Sequence, residues 1–136
     1  MQNFVLDDRL ANDSVSVAII GLCDLRLMKD RRWPWLLLVP RRPGIAEIFE
    51  LTPLDQVLLT FETNLVAAAL KSVTGAVKIN VAAIGNMVRQ LHVHVIARFE
   101  GDPNWPGPVW GHGKAVPYSD EDLNTFIAQL REALSP

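Results

Sequence analysis

Apolar positions along this chain follow two rhythms. In "LTPLDQVLLTFETNLVAAALKSVTG" (residues 51–75) Leu54, Val57, Leu58, Phe61, Leu65 and Ala68 recur at helical spacing. Thr52 suits an N-cap, Pro53 the first helical position and Asp55 the third, a capping-box-like arrangement, and Gly75 supplies the stop. A second helix is predicted from Ser119, with Asp122 three residues on and Leu123, Phe126, Ile127 and Leu130 as its apolar face.

Elsewhere the rhythm is that of strands. "SVSVAIIGLCDLRLM" (residues 14–28) is rich in β-branched residues and alternates around Leu25 and Leu27, which predicts a strand. "KDRRWP" turns the chain. "WLLLVP" (residues 35–40) is a short apolar run closed by proline, as expected of a buried central strand. The two form a hairpin. "AVKINVAAI" and "RQLHVHVIARF" predict two more strands, joined by "GNM". Phe4 to Arg9 is a terminal element of unassigned type, and a Pro/Gly/Trp-rich loop spans residues 101–118. Strands before and after one long helix predict an α+β domain with a mostly antiparallel sheet. The absence of βαβα alternation argues against a doubly wound nucleotide fold. No repeat or linker interrupts the 136 residues, so one domain covers 1–136.

Composition narrows the class further. An apolar content of 49% and a mean hydropathy of +0.16 indicate a packed globular chain. A net charge of −2 gives no global drive toward nucleic acid or an anionic membrane. The arginine pairs Arg31-Arg32 and Arg41-Arg42 read as solvated. Asp7, Asp8, Arg9 and Asp13 break any signal-peptide core, and no apolar run reaches the roughly 20 residues that span a bilayer. A single cysteine, Cys23, forms no internal disulfide, so a cytoplasmic location is expected, with Cys23 as inert packing.

The chemistry concentrates in "RQLHVHVI" (residues 89–96), which holds two of the three histidines. On a strand, Gln90, His92, His94 and Ile96 share one face while Leu91, Val93 and Val95 line the other. A row of amide and imidazoles permits three readings. It is an exposed polar face; or His92 and His94, with Cα atoms about 7 Å apart, share a zinc with His112 or an acid; or one histidine is a nucleophile or acid–base toward a charged substrate. No cysteine pair or His-Glu-x-x-His pattern supports the metal.

"QLHVHVI" resembles the signature of the histidine triad (HIT) family, His-φ-His-φ-His-φ-φ with φ apolar. The hairpin ending in "WLLLVP", the long helix, the strand with Asn80, the "GNM" turn and the histidine strand also follow in the family's order, over roughly residues 17–98, ahead of the C-terminal loop and helix at 101–134. "NWPGP" (residues 104–108) is similar to a Trp-Pro stretch of one branch. The resemblance implies a HIT-like α+β fold, a mostly antiparallel sheet of about five strands with one long central helix and a C-terminal helix. It also implies a nucleotide hydrolase or nucleotidyl transferase, usually a homodimer formed through the sheet, acting on dinucleoside polyphosphates or nucleoside phosphoramidates.

By the same resemblance, His92 is the nucleophile that forms a covalent nucleotidyl-imidazole, its other nitrogen held by a backbone carbonyl. His94 contacts the phosphate and helps protonate the leaving group. Asn80, one residue closer to the motif than the family places its amide, joins Gly85 and Asn86 on the phosphate. Asp24 or Asp30 falls where relatives hold the ribose hydroxyls. No metal is required, although magnesium can accompany a polyphosphate. A nucleotide is the expected partner, without membrane or specific nucleic acid. Two departures stand out: Gln90, which cannot titrate, occupies the first triad position, and Met87 replaces a Ser or Thr. His112 and Lys114 read as incidental loop residues. Trp105 and Trp110 suit a dimer contact or a lid.

Overall fold

Residues 3–135 are described in a computed structural model. Helix α1 (Asp8–Asp13) leads into strands β1 (Ser14–Ile20), β2 (Cys23–Met28) and β3 (Trp35–Pro40). A 3-10 turn (Ile48–Glu50) precedes helix α2 (Pro53–Thr74), and β4 (Lys78–Ala82), β5 (Val93–Arg98) and helix α3 (Asp120–Leu134) complete the chain. The strands form one antiparallel sheet in the order β1-β2-β3-β5-β4. The mixed α+β class and the five-stranded sheet agree with the sequence expectation.

The single strand predicted over residues 14–28 is instead two, folded back at Gly21 and Leu22. Gly21 adopts φ +40°, a left-handed geometry that glycine reaches without a Cβ clash. Glu62, buried on α2, accepts from the Leu22 and Cys23 amides at 2.8 and 2.9 Å and braces the turn. A Cβ on Gly21 would stand 2.7 Å from Glu62 Oε2.

Helix α2 begins and ends as predicted. The Thr52 hydroxyl accepts from the Asp55 amide at 3.2 Å, and Gly75 caps the end at φ +70°. The cap is one-sided, however, because the Asp55 carboxylate pairs with Arg42 at 2.7 Å. The predicted apolar stripe does not face the core. Leu54, Val57, Phe61, Leu65 and Ala68 are exposed, whereas Asp55, Leu59, Glu62, Val66 and Leu70 are buried. Two stripes of equal period run along this helix. The acceptors Asp55 and Glu62, each needed by a partner on the body of the domain, decide which turns inward.

Both faces of the sheet are covered. Leu25, Leu27, Leu36, Leu38, Val93 and Val95 pack against Leu59, Val66 and Leu70 of α2 and Leu130 of α3. On the other face Trp35, Leu37, Val39 and Ile96 pack with Leu10, Val109 and the N-terminal residues Phe4 and Leu6. β5 is therefore buried from end to end, and the exposed polar face considered from the sequence is absent. The sequence placed no membrane-length apolar stretch, yet α2 is long and apolar enough to span a bilayer by length and composition alone. Its inward carboxylates and its packing on the sheet account for it as a helix of this domain.

Candidate active site

The Leu91/Val93/Val95 face of the histidine segment enters the α2 side of the core, which turns His92 and His94 to the opposite face. Strand β5 itself starts at Val93, so His92 sits on the loop-to-strand transition. Its Nδ1 lies 2.7 Å from the Gln90 carbonyl oxygen. A carbonyl only accepts, so Nδ1 carries the proton and Nε2 keeps its lone pair.

His94 is held the other way round. It lies opposite Leu37 of β3 and Ala82 of β4, and the Trp35 indole N–H donates to its Nδ1 at 2.9 Å. An indole N–H only donates, so here Nδ1 carries the lone pair and Nε2 the proton. Burial, with a smaller contribution from the neighbouring His92, pushes the His94 pKa down to about 3. The ring therefore stays neutral at ordinary pH. The His94 ring centre is 5.0 Å from that of His92, 5.1 Å from Trp110 and 5.7 Å from Trp35. Two adjacent imidazoles thus offer opposite functions, a lone pair on one and an N–H on the other.

Two clefts meet at His92. One, of about 460 Å³, has Leu10, Met28, Trp35 and Leu37 as its apolar wall, Trp110 beside His94, and Asp13 among its lining. The other, of about 580 Å³, carries Glu47, Phe49 and Arg89. Ile84, Gly85, Asn86 and His92 line both. Gly85, at φ +67°, makes a turn that a side chain would strain. A third hollow beyond Trp35 and Trp110, about 330 Å³, is lined by Lys29, Arg32 and His112.

Of the residues singled out from the sequence, His92, His94, Gly85 and Asn86 converge here. The others are placed differently. Gln90 was expected as the third member of the polar row, but it precedes β5, and both ends of its amide are engaged. Nε2 donates to the Val5 carbonyl and Oε1 accepts from the Asp7 amide, each at 2.8 Å. Asn80 lies opposite Ile96, and its Oδ1 accepts from Arg98 at 3.1 Å. Arg98, almost fully buried, also clamps Asp102 and the Gly107 carbonyl, which ties the loop after β5 to the sheet. Asp24 is buried in mid-sheet opposite Ile19 and Val39, 3.4 Å from Arg26, and lines neither cleft. Asp30 is taken by Arg32 at 2.8 Å, so that arginine is not a free solvated charge; it also donates to the His112 carbonyl. Among the described residues, no group of three or more His, Cys, Asp or Glu side chains could hold a metal ion.

Sequence reasoning missed Trp35, Leu10, Asp13 and Arg89 as lining residues. Only Trp35 carried a usable signal, since it alternates with Leu37 and so shares that face. The pairing of β3 with β5, which brings its indole to His94, had no local signature.

The family model for the HIT domain matches residues 9–101. A histidine triad (HIT) protein from Sinorhizobium meliloti 1021 is 66% identical, with a TM-score of 0.95 over 96% of each chain. A histidine triad protein from Bradyrhizobium japonicum is 41% identical, with a TM-score of 0.97 over 98% of this chain and 100% of the other. A histidine triad nucleotide-binding protein from Sulfolobus tokodaii, at 19% identity and a TM-score of 0.68 over 89% and 83% of the chains, shares the fold alone. Among curated proteins no relative matches.

Proposed function

The chain belongs to the histidine triad (HIT) family, and from that premise we propose a nucleotide hydrolase or nucleotidyl transferase that works through a covalent nucleotidyl-His92 intermediate. Membership supports a nucleotide-binding, hydrolase-type function in general. The observation that carries the finer reading is the fixed tautomer of His92, a residue that lines both clefts and whose Nε2 keeps its lone pair.

In this reading the nucleoside lies in the cleft walled by Leu10, Met28, Trp35 and Leu37, with Asp13 rather than Asp24 near the ribose hydroxyls. His92 Nε2 attacks the α-phosphorus, and the bond to the leaving group breaks with its electron pair. His94 donates its Nε2–H to a phosphate oxygen, and the Gly85–Asn86 turn adds amide donors where negative charge grows. Water then attacks phosphorus, the P–N bond returns its pair to His92, and the nucleoside monophosphate leaves with the proton passing to solvent. His92 needs no metal; magnesium enters only as the counter-ion of a polyphosphate.

The exposed apolar stripe of α2 and the free edge strand β4, with Val81 also exposed, support a homodimer. The lone buried Cys23 fits a cytoplasmic setting. The test is incubation of the protein with a diadenosine polyphosphate, following nucleoside monophosphate release and trapping the adduct for mass spectrometry. His92→Ala abolishes both; equal release by variant and wild type would sink the reading. The amide of Gln90, spent on backbone, favours one alternative, a nucleotide-binding protein with little turnover. Binding without release would mark that case.

A further inference from the structure

We propose that Gln90 is a positioning residue for the nucleoside: its carboxamide fastens the N-terminal segment to the loop that carries His92 and so holds one wall of the binding cleft in place. The inference rests on the reading that the nucleoside lies in that cleft, and it names a residue that sets affinity apart from the chemistry at His92.

The cleft of about 460 Å³ takes one wall from the start of the chain, since Arg9, Leu10 and Asp13 of α1 line it beside Met28, Trp35 and Leu37. Little in that wall supports itself. Helix α1 has six residues, well short of the roughly 12–15 at which an isolated helix is even marginal in water. Leu10 is its one buried side chain. Ahead of it, Val5 is 74% exposed, and Phe4 and Leu6 are only partly buried against the second core cluster. Among the described residues, the two bonds to Gln90 are the only hydrogen bonds that tie residues 3–7 to anything beyond α1.

The chemistry of the fastening is well matched. The Val5 carbonyl and the Asp7 amide flank Leu6, and a carboxamide offers that pair one donor and one acceptor, as a peptide group of a neighbouring strand would. The bonds span 85 and 83 positions, so they close the segment onto residue 90 and not onto its own neighbours. The main chain of the same residue does something else. Its carbonyl accepts from His92 Nδ1 at 2.7 Å and fixes the tautomer of the nucleophile. Removing the carboxamide therefore frees the wall and leaves the tautomer. Terminal segments open at little cost, so losing two hydrogen bonds raises the open population on the order of 10-fold or more. A cleft that is whole only when the segment is closed then binds more weakly, in proportion to the fraction still closed.

The experiment uses Gln90→Met in the full chain, which keeps the length of the side chain and removes both bonds. With diadenosine tetraphosphate as substrate, KM should rise about 10-fold while kcat stays within about 3-fold of wild type. Tryptic cleavage after Arg9, an exposed residue of α1, reads the opening directly and should quicken by about 10-fold. In wild type, adenosine 5′-monophosphate should slow that cleavage, a readout independent of how any variant folds. Phe4→Ala/Leu6→Ala loosens the same segment through its packing, so adding Gln90→Met to that pair should change KM by less than about 2-fold. An unchanged KM, equal cleavage rates, fully additive effects or a wild type that the nucleotide does not protect each overturn the proposal. A wild type that forms no nucleotidyl adduct, yet is protected at Arg9 and loses that protection in Gln90→Met, overturns the covalent reading and supports this one.

Discussion

Lowering the pH should destabilise this protein through His94 before any carboxylate is involved. In the folded state the ring is 6% exposed, faces Trp35, Trp110 and His92, and has a pKa of about 3. In the unfolded chain it returns to an ordinary value of about 6.5. Above about pH 7.5 it is neutral in both states and contributes no pH dependence. As pH falls below 6.5 the unfolded chain takes up a proton that the folded ring refuses, so stability drops by about 1.4 kcal/mol per pH unit. Between pH 8 and pH 5 the loss is about 2 kcal/mol, a large share of the roughly 5–15 kcal/mol that holds a domain together. Urea unfolding at pH 5, 6, 7 and 8 measures it, with His94→Gln as the reference. That variant retains an acceptor for the Trp35 indole and does not titrate. The difference between the two stability profiles should grow by about 2 kcal/mol toward pH 5. Parallel profiles would refute both the neutral ring and the burial argument behind it.

Arg98→Met should be among the costliest single changes, because it strands the carboxylate of Asp102, whose side chain is 7% exposed. Urea unfolding should show a loss of about 3–5 kcal/mol, with Arg98→Met/Asp102→Leu recovering most of it; a loss below about 1 kcal/mol would contradict the clamp. Asp102 is held low because hydrogen bonds from Arg98 and the Phe99 amide outweigh the upward push of burial. Its share of stability is therefore present above about pH 4 and lost as pH falls further. Gln90→Met removes two hydrogen bonds and should cost about 1–3 kcal/mol by the same measurement. Its kcat should stay within an order of magnitude of wild type, whereas a fall of about 10²-fold would assign Gln90 a direct chemical part. Phe61→Glu places a charge on the exposed stripe of α2 and should convert the proposed dimer to monomer by light scattering, with an unchanged circular dichroism spectrum.

Where the sequence was legible, a local physical signal acted alone. Thr52, Pro53 and Gly75 bounded α2, and Ser119 opened α3, because caps are read within a few residues of the helix end. The alternation of Leu91, Val93 and Val95 correctly sent His92 and His94 to one face. Errors arose where a distant partner outweighed a local rhythm. The stripe of Leu54, Val57, Phe61 and Leu65 has the right period for a core face. Glu62 wins the inward side because the Leu22 and Cys23 amides, some 40 positions earlier, need an acceptor. The strand read through residues 14–28 breaks at Gly21 for the same reason. The neighbours of Asn80 were likewise not legible from the sequence. The sheet register sets it opposite Ile96, within reach of Arg98, and no pattern near Asn80 announces that neighbour.

Gln90 ties the loop that carries His92 to the N-terminal segment. Its side chain reaches back to residues 5 and 7, which fixes the segment entering α1. That helix carries Leu10 and Asp13 into the nucleoside-sized cleft, so the amide controls a wall some 80 residues away in the chain. Its backbone carbonyl, meanwhile, sets the tautomer of His92. A histidine at this position could keep the second function, which belongs to the backbone. The Gln90 amide therefore couples the N-terminal wall of the cleft to the loop that carries His92.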